Sequence, residues 1–256
     1  MVGRRLRFSL RLFLLLMLLC AAAMGWFSVA YLQPYRKEEA AIKRLSRLGG
    51  TFGLTLREPQ WIWRTFGKGI ARKSDFLVLS NLPIGDEEAH QIAALESLKD
   101  LEMDRTRFTD AGIQQLGGLV QLRGLKLRHV AVTHPPIGRM SKLIFLDLAF
   151  TKVATLDTSS MSSLESLDLR GAQINDATLE SFAPMPALRA LDISGDAERR
   201  MRITDQGVAH LTKEKFPDLT RIFLHHTEVT PAGLKALFEQ FPKAGIYHDE
   251  LDVKRE

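Results

Sequence analysis

Three pentapeptides, LDLAF at 146–150, LDLRG at 167–171 and LDISG at 191–195, place Asp147, Asp168 and Asp192 in one recurring slot. Aspartates in register can gather a hard cation, receive a basic partner, or fill a solvated face. Calcium needs about six to eight oxygens converging from several carboxylates and carbonyls. One carboxylate per unit falls short of that, so the cation reading is the weakest of the three. Polar filler on a solvated face is the strongest, and docking of a basic peptide stands second. The seven histidines form neither H-E-x-x-H nor a Cys/His cluster, and no G-x-S-x-G or glycine-rich phosphate loop occurs. No enzymatic activity, cofactor or metal is expected.

A repeat has to position these aspartates. Written as L-x-x-L-x-L, the units are SLKDLEM, QLRGLKL, KLIFLDL, SLESLDL, ALRALDI and DLTRIFL, with a weaker first copy SDFLVL. Their starts fall at 74, 98, 122, 143, 164, 188 and 219, giving steps of 24, 24, 21, 21, 24 and 31. Periods of about 20–29 residues with this pattern mark leucine-rich repeats. The fold expected is an α/β solenoid: a curved parallel sheet with helices and tight turns on its convex side. FTDAGIQQL, INDATLESF, ITDQGVAHL and VTPAGLKAL each open on a capping residue and then space apolar residues a helical turn apart. VTHPPIGRM and VATLDTSSM, in the two 21-residue units, leave room only for turns or a 3₁₀ segment. The surplus of the 31-residue step is GDAERRM at 195–201, expected to loop out at the rim.

In such a stack the leucines point inward and the residues between them face the concave side. The middle slot reads Val78, Glu102, Lys126, Asp147, Asp168, Asp192 and Phe223; the next reads Ser80, Asp104, Arg128, Ala149, Arg170, Ser194 and His225. The candidate partner-binding residues are therefore Glu102, Asp104, Lys126, Arg128, Asp147, Asp168, Arg170, Asp192, Phe223 and His225.

Before the repeats, residues 12–32 carry no charged side chain and follow a leader, 1–11, with arginines at 4, 5, 7 and 11. A run of about 20 apolar residues spans a bilayer core. The triplets AAA at 21–23 and SVA at 28–30 offer signal-peptidase cuts. The length of the run, with Trp26 and Tyr31 near its far end, favours a retained single transmembrane helix. The arginine-rich leader places the N-terminus in the cytoplasm and the repeats outside it. Residues 33–73 then read as an amphipathic juxtamembrane helix, with Ala41, Leu45 and Leu48 on one face, and an N-terminal cap holding Trp61, Trp63 and Phe66. The repeats occupy 74–243, and 244–256 read as a C-terminal tail.

Charge narrows the partners. Of 35 Lys+Arg, the four arginines of residues 1–32 leave 31 against 30 acids, so the remainder is nearly neutral and nucleic acid is not expected. The single cysteine, Cys20, lies in the apolar run, and the rest of the chain can form neither a disulfide nor a thiolate metal site.

The RFSLR leader, the helix ending LGG, the segment EPQWIW and repeats carrying TDAG and TDQG resemble N-terminally membrane-anchored bacterial leucine-rich-repeat proteins of the ribonuclease-inhibitor-like kind. The resemblance implies a membrane-attached scaffold that binds a protein or peptide, with the bilayer as its other partner, and transfers no catalytic residue. The alternative it leaves open is a structural or envelope-organising protein acting by self-association.

Overall fold

The computed structural model describes residues 10–27, 29, 33–56, 72–196, 200–249 and 251–253. A three-residue strand has no stability alone, so each repeat depends on its neighbours. The strands β2 (Arg72–Val78), β3 (Asp100–Glu102), β4 (Gly124–Lys126), β5 (Phe145–Asp147), β6 (Ser166–Asp168), β7 (Ala190–Asp192), β8 (Arg221–Phe223) and β9 (Gly245–His248) pair in chain order, all parallel. Antiparallel strands close the two ends, β1 (Thr51–Leu56) on β2 and β10 (Leu251–Val253) on β9.

Register follows the leucines. Leu77, Leu101, Leu125, Leu146, Leu167, Leu191, Ile222 and Ile246 are partners in one row, and none is more than 1% exposed. The row advances by the six steps read from the sequence, and then from Ile222 to Ile246, a further 24 residues. The stack is thus a leucine-rich-repeat solenoid. It extends into 244–256, where Ile246 and His248 stand in slots that leucines fill elsewhere and the buried Ala244, two residues before Ile246 rather than three, breaks the spacing, so the repeat is hidden.

The helical side is built from α3 (Ala89–Ala93), α4 (Asp110–Gln115), α5 (Asp176–Glu180), α6 (Asp205–Ala209) and α7 (Pro231–Gln240), while residues 127–144 and 148–165 form turns only. The short repeats simply lack the residues for a helical turn. Thr109, Asn175, Thr204 and Thr230 cap α4 to α7, each accepting a first-turn N–H.

The T-D-x-G motif joins one repeat to the next. Asp86, Asp176 and Asp205 each accept the N–H at 2.8 Å and the Oγ1–H at 2.6 Å of the following repeat's threonine, Thr109, Thr204 and Thr230. Asp110 holds Thr133 likewise, at 3.1 and 2.5 Å. The glycine three residues after Thr109, Thr204 and Thr230 makes room for the carboxylate: a Cβ on Gly112, Gly207 or Gly233 would lie 2.1, 2.1 or 2.2 Å from its oxygen. Among the described residues no aspartate–threonine tie of this kind joins the two 21-residue units, which are held on this side by Lys152 N–H donating to the Val132 carbonyl at 3.1 Å. Backbone amides of 127–165 are therefore expected to exchange hydrogen faster than those of 86–115 and 174–209, and equal protection would contradict that ranking.

The insertion returns to the core at Met201, which is 3% exposed and donates its N–H to the His226 carbonyl at 2.8 Å. Residues 197–199 lie outside the described residues, as do Trp61, Trp63 and Phe66.

At the other end α2 (Gln33–Arg47) covers the first repeat with Ala41 and Leu45, both buried, whereas Leu48 stays 38% exposed beyond the helix end. Glu38 makes the join polar: its side chain is buried and accepts Ser74 N–H and Ser97 Oγ–H, both at 3.0 Å. Ahead of it, α1 (Leu10–Phe27) is an 18-residue helix whose large side chains from Phe13 to Trp26 are all exposed. Eighteen residues reach about 27 Å, less than the roughly 30 Å of a bilayer core. Among the described residues no helix is long and apolar enough to cross a membrane. The transmembrane helix expected over 12–32 is therefore not found among them, and residues 28 and 30–32 of that run lie outside the described set.

Candidate functional site

Strand alternation puts three columns of side chains on the open face of the sheet, opposite the helices. Pairing confirms the middle column as Val78, Glu102, Lys126, Asp147, Asp168, Asp192 and Phe223, and adds Tyr247. The column before it, unread in the sequence, runs Phe76, Asp100, Gly124, Phe145, Ser166, Ala190, Arg221 and Gly245.

The three aspartates share a local task. Oδ1 of Asp147, Asp168 and Asp192 accepts the backbone N–H two residues on, from Ala149, Arg170 and Ser194, each at 3.0 Å. These bonds satisfy donors where each strand ends.

Their charges are answered from the outward column. Arg170 lies between two carboxylates, 3.0 Å from Asp168 and 3.1 Å from Asp192, and Arg128 Nε lies 3.7 Å from Asp147. Lys126 pairs with Glu102 at 3.1 Å, and Ser80 Oγ–H donates to the other Glu102 oxygen, also at 3.1 Å. Asp104 accepts Arg128 N–H at 3.2 Å.

Burial separates the members of this set. Asp147 is only 4% exposed, and burial, then the neighbouring Asp168, push its carboxyl up to about 6 against the Ala149 N–H and Arg128. Burial likewise raises Asp168, with Asp192 adding to it, and raises Asp104, with Glu102 adding to it. The cations lie outermost: the side chains of Lys126, Arg128 and Arg170 are 43%, 36% and 40% exposed, against 6% for Asp147 and 16% for Asp168 and Asp192. The expected acidic strip is thus a row of internally paired carboxylates with guanidinium groups over it. Among the described residues no group of three or more His, Cys, Asp or Glu side chains is set to hold a metal.

Shape comes from the unread column. Phe145 stands between two hollows. One, of about 350 Å³, lies over Gly124 and is walled by Phe76, Val78 and Lys126. The other, of about 540 Å³, is floored by Ser166 and Ala190 and walled by Phe145, Arg170, Arg221 and Phe223. Phe223 stacks on Tyr247 with ring centres 4.7 Å apart. His225 and His226 close that end on Asp249, their Nδ1 atoms 3.2 and 3.3 Å from its carboxylate. Burial alone would raise the Asp249 carboxyl, but the His226 N–H and the two rings hold it below its ordinary range.

All ten candidate residues therefore lie on one face, but their parts differ. Phe223, Lys126, Arg170 and His225 line or border open space, and Asp147 belongs to the frame. Phe76, Phe145, Arg221, Tyr247 and Asp249 were missed. Strand alternation gave a signal for the first three, since positions on both sides of an inward leucine share its opposite face; Tyr247 and Asp249 lay in the hidden last repeat.

No protein-family model and no curated protein sequence matches the chain. Solved structures do. The leucine-rich-repeat ectodomain of the receptor kinase SOBIR1 from Arabidopsis thaliana is 18% identical over 55% of this chain and 82% of that one, with a TM-score of 0.44. The structure of a TLR13–ssRNA13 complex is 17% identical over 66% of this chain and 28% of that one, at 0.46. The internalin inlF from Listeria monocytogenes is 19% identical over 65% of this chain and 38% of that one, at 0.39. The assignment of the leucine-rich-repeat fold rests on the chain's own strand register and buried leucine rows.

Proposed function

We propose that this chain is a membrane-attached binding scaffold that offers the open face of its sheet to a protein or an extended peptide. The observation that carries the reading is the 540 Å³ hollow between Phe145 and the Phe223–Tyr247 pair, floored by small residues and rimmed by Arg170 and Arg221. Aromatic and arginine side chains around small-residue floors are where binding energy concentrates in interfaces. An open, shallow arc suits a macromolecule better than a small substrate, which needs a pocket that buries most of its surface.

Attachment to the membrane is the second part of the reading. It is supported by the run of exposed apolar side chains on α1, from Phe13 to Trp26, and by a sequence that stays uncharged to Leu32. The arginines at 4, 5, 7 and 11 favour a cytoplasmic leader with the repeats on the other side.

A photo-crosslinking residue placed at 126 or 221 on the open face, and at 121 or 235 elsewhere on the surface, tests the face in intact cells. A partner captured from 126 and 221 alone is the expected result, and Phe223→Ala should weaken its binding about tenfold or more. Equal capture from 121 and 235 overturns the assignment to this face. Products made only of the chain itself favour self-association instead.

A further inference from the structure

A third concavity, of about 980 Å³, lies between α2 and α3, on the end of the solenoid nearest α1 in sequence. One wall carries Lys37, Ala40 and Arg44, which lie at i, i+3 and i+7 and so share a face of α2. The opposite wall carries His90 and Ala93 of α3 and its C-cap residue Ala94. The floor is apolar because the residues facing each other are alanines, and the groups around it are cationic or neutral polar apart from Glu96 and the inward-turned Glu38.

Charge on the exposed side of α2 is predominantly positive. Arg36, Lys37, Lys43, Arg44 and Arg47 are exposed along α2 against one exposed acid on the helix, Glu39. Glu38 is turned into the fold, where Ser74 and Ser97 donate to it, and so does not offset the cations. Arg44 is steadied by Glu88 at 3.4 Å while its side chain stays 58% exposed. Glu96 is the one exposed acid on the lining among the described residues.

Position supplies the occupant. Only residues 28–32 separate the exposed apolar helix α1 from α2, and Lys37 is in the second turn of α2. If α1 lies in a bilayer, the Lys37 end of the groove sits at headgroup depth. Cations just beyond an apolar segment attract anionic lipid.

We propose that this groove holds the headgroup of an anionic phospholipid, with Lys37 and Arg44 on its phosphate and the alanine floor against the first carbons of its acyl chains. The proposal rests on the reading of α1 as a membrane attachment. Its effect is to fix the solenoid against the membrane surface through its capped end, leaving the open face of the sheet free.

The test is native mass spectrometry of the full chain released from detergent micelles doped with phosphatidylglycerol or phosphatidylcholine. One phosphatidylglycerol is expected to stay bound, with about tenfold preference over phosphatidylcholine. The double variant Lys37→Glu, Arg44→Glu should remove the preference, and so should Ala94→Trp, which fills the floor without altering charge. Melting curves confirm that each variant is folded; if one is not, the two wild-type lipid arms and the phosphate arm still decide. Equal retention of both lipids overturns the proposal. So does retention undiminished in Ala94→Trp, which assigns the effect to diffuse surface charge, or displacement by millimolar inorganic phosphate, which assigns it to a free-anion site. Membrane attachment is read separately, by whether the chain stays in the membrane pellet after an alkaline wash, so either reading can fail alone.

Discussion

Gly207→Ala is expected to be among the most destabilising single-methyl additions in the repeats, lowering stability by about 3 kcal/mol. The added Cβ would sit 2.1 Å from Asp176 Oδ1 and 3.1 Å from the Asp176 Cα, so rotating the carboxylate away relieves only part of the clash. The movement that does relieve it breaks the bonds from Thr204 N–H and Oγ1–H to Asp176, at 2.8 and 2.6 Å. Hydrogen bonds to a charged acceptor contribute about 1.5–3 kcal/mol. In a chain of this size a loss of that order lowers the thermal midpoint by about 6–12 °C. A double-mutant cycle isolates the cause: in an Asp176→Ala background the same alanine should be far less harmful, since the oxygen it strikes is gone. An undiminished penalty in that background would show that the clash lies elsewhere.

The second large effect runs the other way. Asp147→Asn is expected to stabilise the protein at pH 8 by on the order of 2–3 kcal/mol. Asp147 is buried, and burial together with Asp168 raises its carboxyl from 3.8 to about 6. A carboxyl whose folded value is raised binds its proton more tightly in the folded state than in the unfolded one. Between about 4 and 6 the native chain therefore loses stability from this group as pH rises, and above that window the whole penalty is present. Asparagine keeps the oxygen that accepts the Ala149 N–H at 3.0 Å and discards the charge. Urea midpoints of the two proteins should coincide near pH 4 and separate progressively to pH 7. Curves that stay parallel across that range would refute the assignment.

These two residues illustrate what the sequence reveals and what it conceals. The strand row, the 24- and 21-residue steps and the middle column can all be read from leucine spacing, because a one-residue slip would turn every buried leucine to water. The pairing of Asp147, Asp168 and Asp192 in one column follows directly. Their burial does not: it depends on Arg128 and Arg170 lying across the column, and side-chain direction is not encoded in spacing. Glu38 is a similar case, a helical acid that reads as solvent-facing until Ser74 and Ser97 are placed beside it. The last repeat stayed hidden for a simpler reason, since Ala244, Ile246 and His248 carry too little leucine character to mark it. The site's shape was legible in principle, because Phe76, Phe145 and Arg221 occupy the alternate positions of strands already recognised.

The uneven helical side also gives the molecule a mechanical design. Aspartate ties bind the first units to one another and the last units to one another, and two short units with turns alone lie between. A beam with stiff ends and a slender waist concentrates bending at the waist. Phe145 stands on β5 inside that waist and divides the two hollows. Flexure there would shift Phe145 against Gly124 and Lys126, so the shape of the smaller hollow is coupled to the curvature of the stack.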